Sequence, residues 1–170
     1  MNGFDAFLSR IQSPPLQAVA GHWLAARRDR RMPGWSDLSP SGMARHLTMV
    51  WAFKYDRARG EFTSRLAGNR IMTGFGRGFR GTPLKDLHPP HVFEIAQAHM
   101  TRLVSDPALY YCSGRLFKAG DRVVEGERIM MPLASDGSDA DGALGATAYE
   151  SQNITGPVEI VVGNIEWFSI

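Results

Sequence analysis

The chain has a single cysteine, Cys112, in 170 residues. That excludes an internal disulfide and a zinc site built from several thiolates. Lysine is scarce too: Lys54, Lys85 and Lys118 are the only three, so sixteen of the nineteen basic residues are arginine. No apolar run approaches the roughly 20 residues that a membrane-spanning helix needs. Residues 1–10 already carry Asp5 and Arg10 and lack the basic-then-apolar order of a leader, so a cytoplasmic location is expected. The sequence holds no phosphate-binding loop, no Gly-x-Ser-x-Gly elbow and no His-Glu-x-x-His pair. Nothing in it assembles a nucleophile, a base and an oxyanion donor, so the chain is not expected to be an enzyme.

What is present is ordinary globular composition, 44% hydrophobic and 21% charged. A chain of this length buries enough surface for a core without staples. The net charge of +2 hides an asymmetry. Residues 1–85 hold 14 basic and 5 acidic residues, a balance of +9, whereas residues 86–170 hold 5 and 12, a balance of −7. Both signs within one small domain point to attraction between faces, or between two protomers, and no nucleic-acid partner is expected.

Hydrophobic period gives the elements. Leu16, Val19, Ala20, Trp23 and Leu24 recur at helical spacing between residues 16 and 31, after Pro14 and Pro15 and before the stop Met32-Pro33-Gly34. Arg27, Arg28, Arg30 and Arg31 crowd the end of this helix, where cations suit the negative pole. A short second helix should start with Ser39 as N-cap and Pro40 at its first position and run to Leu47. Residues 48–55 and 61–68 read as a β-hairpin. Between residues 69 and 87, Gly74, Gly76, Gly78, Gly81 and Pro83 permit short helical turns only. Residues 91–105 form a helix, and 108–118, 123–134 and 143–151 are strands, followed by a strand-like tail at 158–168. Two runs of strands around a helical insertion argue an α+β fold.

Few residues carry chemistry. Gly76-x-Gly78-x-x-Gly81 matches a dinucleotide fingerprint in form, but no strand feeds it and no long helix follows. The acidic stretch Asp136 to Gly142, aligned on a calcium loop, puts Gly137 and Ala148 where carboxylates are needed, which leaves a hydrated turn. His88 and His91 flank Pro89 and Pro90, and His99 follows His91 by two helical turns. This trio offers weak candidates for haem or metal ligation; the plainer reading is one capping, one exposed and one packed histidine.

Several short motifs then fall in a recognisable order. Arg31-Met32-Pro33 is followed by Asp37 and Pro40, then Arg65-Leu-Ala-Gly68, Gly76-Arg77, and Gly81 before Leu84. Glu127-Arg128-Ile-Met-Met-Pro132-Leu133 precedes Asp136-Gly137. Over roughly residues 20–150 the chain resembles the PAS fold, as found in short stand-alone bacterial PAS proteins. The resemblance implies a five-stranded antiparallel sheet of order 2-1-5-4-3 with helices on one face. It divides the chain into an N-terminal helical flank (1–40), a PAS-like domain (41–152) and a C-terminal extension (153–170). The extension has no place in the family pattern: it either docks on its own sheet or exchanges with a partner.

For function, the resemblance implies a non-catalytic sensory or regulatory module. It would bind a small apolar ligand between sheet and helices, relay a signal by dimerisation, or do both. The pocket candidates are Leu66, Ile71, Phe75, Phe93, Met100, Cys112 and Met131, with the cofactor or ligand left open. The alternatives are a protein–protein interaction module with a filled core, which needs a signalling protein partner, and a haem sensor using His88, His91 or His99. A homodimer is expected through the apolar stripe Leu16, Val19, Trp23 and Leu24, because such a stripe must be buried against something. The rival reading folds that helix back over its own sheet.

Overall fold

The computed structural model describes residues 3–75, 78–150 and 159–170, with the backbone alone for residues 73–75. Two short helices open the chain, α1 (Gly3–Arg10) and α2 (Pro14–Arg27). Pro14 and Pro15 stand in the first turn of α2, where a missing N–H costs no hydrogen bond. The helix stops at Arg28, whose φ of 53° leaves the right-handed region. Arg30 then reaches back to the orphan carbonyls of Ala26 and Arg27 and pairs with Asp37 at 2.7 Å. Ser39 and Pro40 do open a helical segment, but Pro40–Met49 is wound as 3₁₀ turns.

The hairpin follows as β1 (Val50–Asp56) and β2 (Glu61–Ala67). Its turn is built by Asp56, whose Oδ1 accepts the backbone N–H groups of Ala58 and Arg59 at 3.0 and 3.2 Å, with Gly60 at a φ of 65°. The glycine-punctuated stretch yields α3 (Asn69–Phe75) and one 3₁₀ turn at Leu84–Asp86. After α4 (Pro90–Ser105) come β3 (Ala108–Ala119), β4 (Arg122–Leu133), β5 (Gly142–Tyr149), β6 (Glu159–Ile160) and β7 (Asn164–Ser169).

The sheet is antiparallel, in the order β2-β1-β5-β4-β3-β6, with β7 also on β3. Its first five positions are the expected 2-1-5-4-3. The tail docks on its own sheet: β7 pairs with β3 from Ala108↔Ser169 to Ser113↔Asn164. That pairing covers an edge that would otherwise offer unpaired N–H and C=O groups.

Side-chain parity separates two layers. On β4, Glu127, Ile129, Met131 and Leu133 point one way, and Arg128 and Met130 the other. The second side carries α3 and α4, as the sequence reading has it. The first side carries α1 and α2. There, Phe7 meets Phe168 with ring centroids 5.7 Å apart, and Phe4 stacks on Trp23 at 6.3 Å. Trp23 Nε1–H donates to the Pro132 carbonyl at 2.8 Å. Glu127 fixes the α1–α2 junction by accepting the backbone N–H groups of Gln12 (2.9 Å) and Ser13 (2.6 Å) and the hydroxyl of Tyr111 (2.6 Å).

This arrangement corrects the interface reading. Leu16, Val19 and Trp23 have no exposed surface, and Leu24 is half-buried against the same core. The stripe expected to await a second copy is covered by the chain's own sheet and by α1, a helix the sequence reading did not foresee. Trp23 is therefore core. Trp23→Ala should cost about 3–5 kcal/mol, the range for emptying a buried aromatic site, in urea unfolding. Light scattering should give the same particle mass before and after the change. A lighter particle of undiminished stability would instead put Trp23 between two copies.

Candidate functional site

The sheet face under α4 is not completely filled. A cavity of about 80 Å³ lies between them. Its floor comes from Trp51 and Phe53 of β1, Tyr110 and Phe117 of β3, Arg128 and Met130 of β4, and Thr147 of β5. Its roof is Ile71 of α3, Leu84, Leu87 and His88, and the α4 residues Val92, Ile95, Ala96, His99 and Met100. Ile160, Val161 and Val162 close one side. Two lining residues, Ile95 and Val162, are 42% and 44% exposed, so the mouth lies between α4 and this strand segment. An apolar cavity of about 150 Å³ takes a benzene ring, so this smaller space takes a short hydrocarbon segment, and a longer ligand extends through the mouth.

The floor is set by a glycine. A Cβ on Gly145 would fall 2.2 Å from Trp51 Cζ2, so only glycine lets this indole lie across β5. There Trp51 Nε1–H donates to Thr147 Oγ1 at 3.0 Å. The same hydroxyl oxygen is the single hydrogen-bond acceptor that Arg128 finds among the described residues, at 3.4 Å from Nε.

Arg128 is 8% exposed, its guanidinium carbon 5.2 Å from the centroid of the Phe117 ring. It makes no salt bridge among the described residues, and none of the remaining residues is Asp or Glu. Burial pushes the guanidinium below its usual pKa, yet arginine keeps its proton in proteins. Among the described residues it is the one charged side chain in the lining. The two histidines there add no positive charge near neutrality. Burial, aided by the charge of Arg128, pushes His88 down to about 4. His99 is lowered by burial first, then by Arg128 and Arg102.

Of the seven pocket residues read from the sequence, Ile71 and Met100 line the cavity. The side chain of Phe75 lies outside the described residues. The other four are corrected. Leu66 is 36% exposed on β2, and Phe93 of α4 is half-buried against the core without lining the cavity. Cys112 shares the parity of Arg128 but is packed solid on β3, with no exposed surface. Met131 has the opposite parity and faces α1 and α2; its neighbour Met130 is the lining residue.

The histidine trio does not converge either. His88 and His99 line the cavity, whereas His91 is exposed and bonded to Glu159. Among the described residues no three His, Cys, Asp or Glu side chains stand close enough to hold a metal ion. The Asp136 turn binds itself: Oδ1 accepts the N–H groups of Ser138 and Asp139, both at 2.8 Å.

Sequence reasoning missed Arg128, although it quoted the residue within a motif. The signal was parity. In Arg128-Ile-Met-Met-Pro-Leu133 both alternating rows are apolar, so both faces are covered, and one arginine heads the row facing α4.

A model of the PAS domain family matches residues 11–148, most of the chain. The chain belongs to that family, whose members are in general sensory or regulatory modules. Searches of curated proteins and of solved structures found no match. Among the described residues no helix is long and apolar enough to cross a membrane.

The His88 environment has a measurable consequence. A histidine whose folded pKa is lowered stabilises the fold fully above its ordinary value of 6.5, and the contribution fades as pH falls toward about 4. Between pH 7.5 and 4.5 the loss should be on the order of 2–3 kcal/mol. Urea unfolding of wild type and His88→Gln at both pH values isolates it from the carboxylates, which titrate in both proteins. The stability difference between the two should shift by that amount in favour of the variant as pH falls; an unchanged difference would place His88 in water.

Proposed function

We propose that this PAS domain is a non-catalytic sensor that takes a small, largely apolar ligand into the cavity between the sheet and α4. The observation that carries the reading is the cavity itself. It is walled by side chains such as Ile71, Val92, Met100 and Phe117, yet it has a mouth at Ile95 and Val162. A purely structural core of this size fills such a space, because side-chain packing in protein interiors leaves few voids larger than a water. Small-molecule sites have the opposite character: concave, mostly apolar, with a few polar groups that fix orientation. Met100, an unbranched and adaptable side chain on the roof helix, suits a wall that must close on a ligand.

Two six-carbon probes, hexan-1-ol and hexanoate, suit such a site, with part of the chain in the cavity and the rest reaching the mouth. At least one of them should raise the melting temperature saturably. At a concentration of 100 times Kd the gain is about 2.7 kcal/mol, a rise on the order of 5–10 °C for a chain of this size. Met100→Trp fills the space. It should fold with a loss of roughly 1–3 kcal/mol from overpacking and show no response to either probe. If neither probe stabilises the wild type, the cavity is not a binding site and the sensor reading fails.

A further inference from the structure

We propose that the cavity selects a small monocarboxylate, with its charged group on Arg128 and its hydrocarbon part against Ile71, Val92 and Met100. This rests on the ligand-binding reading above and names the chemical class of the ligand.

Among the described residues Arg128 has no counter-charge. Arg128 is more than nine-tenths buried and lines the cavity. All seventeen Asp and Glu residues of the chain are described, and none is paired with it. Its sequence neighbour Glu127 points to the other face and is engaged with Gln12, Ser13 and Tyr111. A buried ion without a counter-charge is costly, and breaking such pairs is destabilising for the same reason. A bound anion relieves that cost.

Geometry and charge then narrow the ligand. A guanidinium has five N–H donors in a planar fork suited to a carboxylate. Among the described residues only Nε is bonded, at 3.4 Å, to a Thr147 oxygen that also serves Trp51. The terminal donors are left for a ligand. His88 and His99 are neutral near pH 7, so the lining holds one positive charge and matches one negative charge. A dianion would carry its second charge into an apolar wall, where nothing compensates it. The remaining lining is hydrocarbon and aromatic, which suits a short chain or a ring. Hexanoate, a short hydrocarbon chain ending in one carboxylate, is a fair probe of the class.

The test compares hexanoate, hexan-1-ol and hexylamine by titration calorimetry on the full chain at pH 7.5. Hydrogen bonds to a charged group favour hexanoate over hexan-1-ol by about tenfold or more in Kd, and hexylammonium should show no binding. Arg128→Met keeps the length of the side chain and removes the charge. It is expected to fold, because replacing a lone buried charge with an apolar side chain is well tolerated. In that variant the preference should vanish: hexanoate weakens by at least tenfold while hexan-1-ol binds as before. On the wild type alone, the Arg128 Nε–H resonance should move with hexanoate and stay with hexan-1-ol, a readout that does not depend on the variant. Hexan-1-ol binding as tightly as hexanoate overturns the carboxylate anchor and leaves the cavity as an apolar site. Hexanoate binding unchanged in Arg128→Met also overturns it. Failure of both six-carbon ligands removes the sensor reading with it.

Discussion

Both faces of the sheet lie under helices, and the rest of the molecule follows from that constraint. Successive residues of a strand point to opposite faces. Glu127 and Arg128, adjacent and oppositely charged, therefore cannot neutralise each other. Each must find its own partners in its own layer. Glu127 finds three, in the backbone of the α1–α2 junction and in Tyr111, and so closes the N-terminal layer. Among the described residues Arg128 finds one shared hydroxyl and the face of Phe117. One layer closes around a bonded carboxylate, the other around a cavity and a charge.

The N-terminal helices cover one face of the sheet with apolar side chains of their own. Phe4, Phe7, Ile11, Leu16, Val19 and Trp23 are all buried in the layer they form with the sheet. An apolar helical stripe can be hidden against its own sheet or against a second copy, and the cheaper choice is the surface already tethered nearby. The charge asymmetry between the chain's halves behaves similarly. Arg10 and Glu166 bridge the halves across the α1–β7 contact, at an exposed site where such a pair adds little stability.

Local chemistry was legible and pairing was not. The Asp56–Gly60 turn, the Pro14 and Pro40 starts and the broken stretch after Asn69 follow from residue type alone. Strand order came with the family resemblance, since alternation marks a strand without saying what lies beside it. For the same reason the tail could be read as a strand and not placed. Helix α1 escaped because eight residues span barely two turns, too few for Phe4 and Phe7 to show a period. The exchange of Met131 for Met130 has a sharper cause. A one-residue step moves a side chain to the other face, and in a strand apolar on both rows nothing in composition says which row is which. Arg128 was the marker that resolves it.

The last element added to the sheet is also where the two helical layers come closest in sequence. On β7, Trp167 turns toward α4: it meets Tyr110 at 5.0 Å between ring centroids and lies under the Arg102 guanidinium at 4.2 Å. His99, a lining residue of the cavity roof, sits 6.3 Å from the same indole. The next residue, Phe168, turns the other way and packs on Phe7 of α1. Two consecutive side chains thus touch the roof of the cavity and the outer helical layer. A shift of α4 large enough to admit a ligand must be accommodated by Trp167, whose position along β7 is tied through the backbone to that of Phe168. Because β7 pairs with β3 alone, it is held by one ladder, whereas the central strands β1, β5 and β4 are held by two.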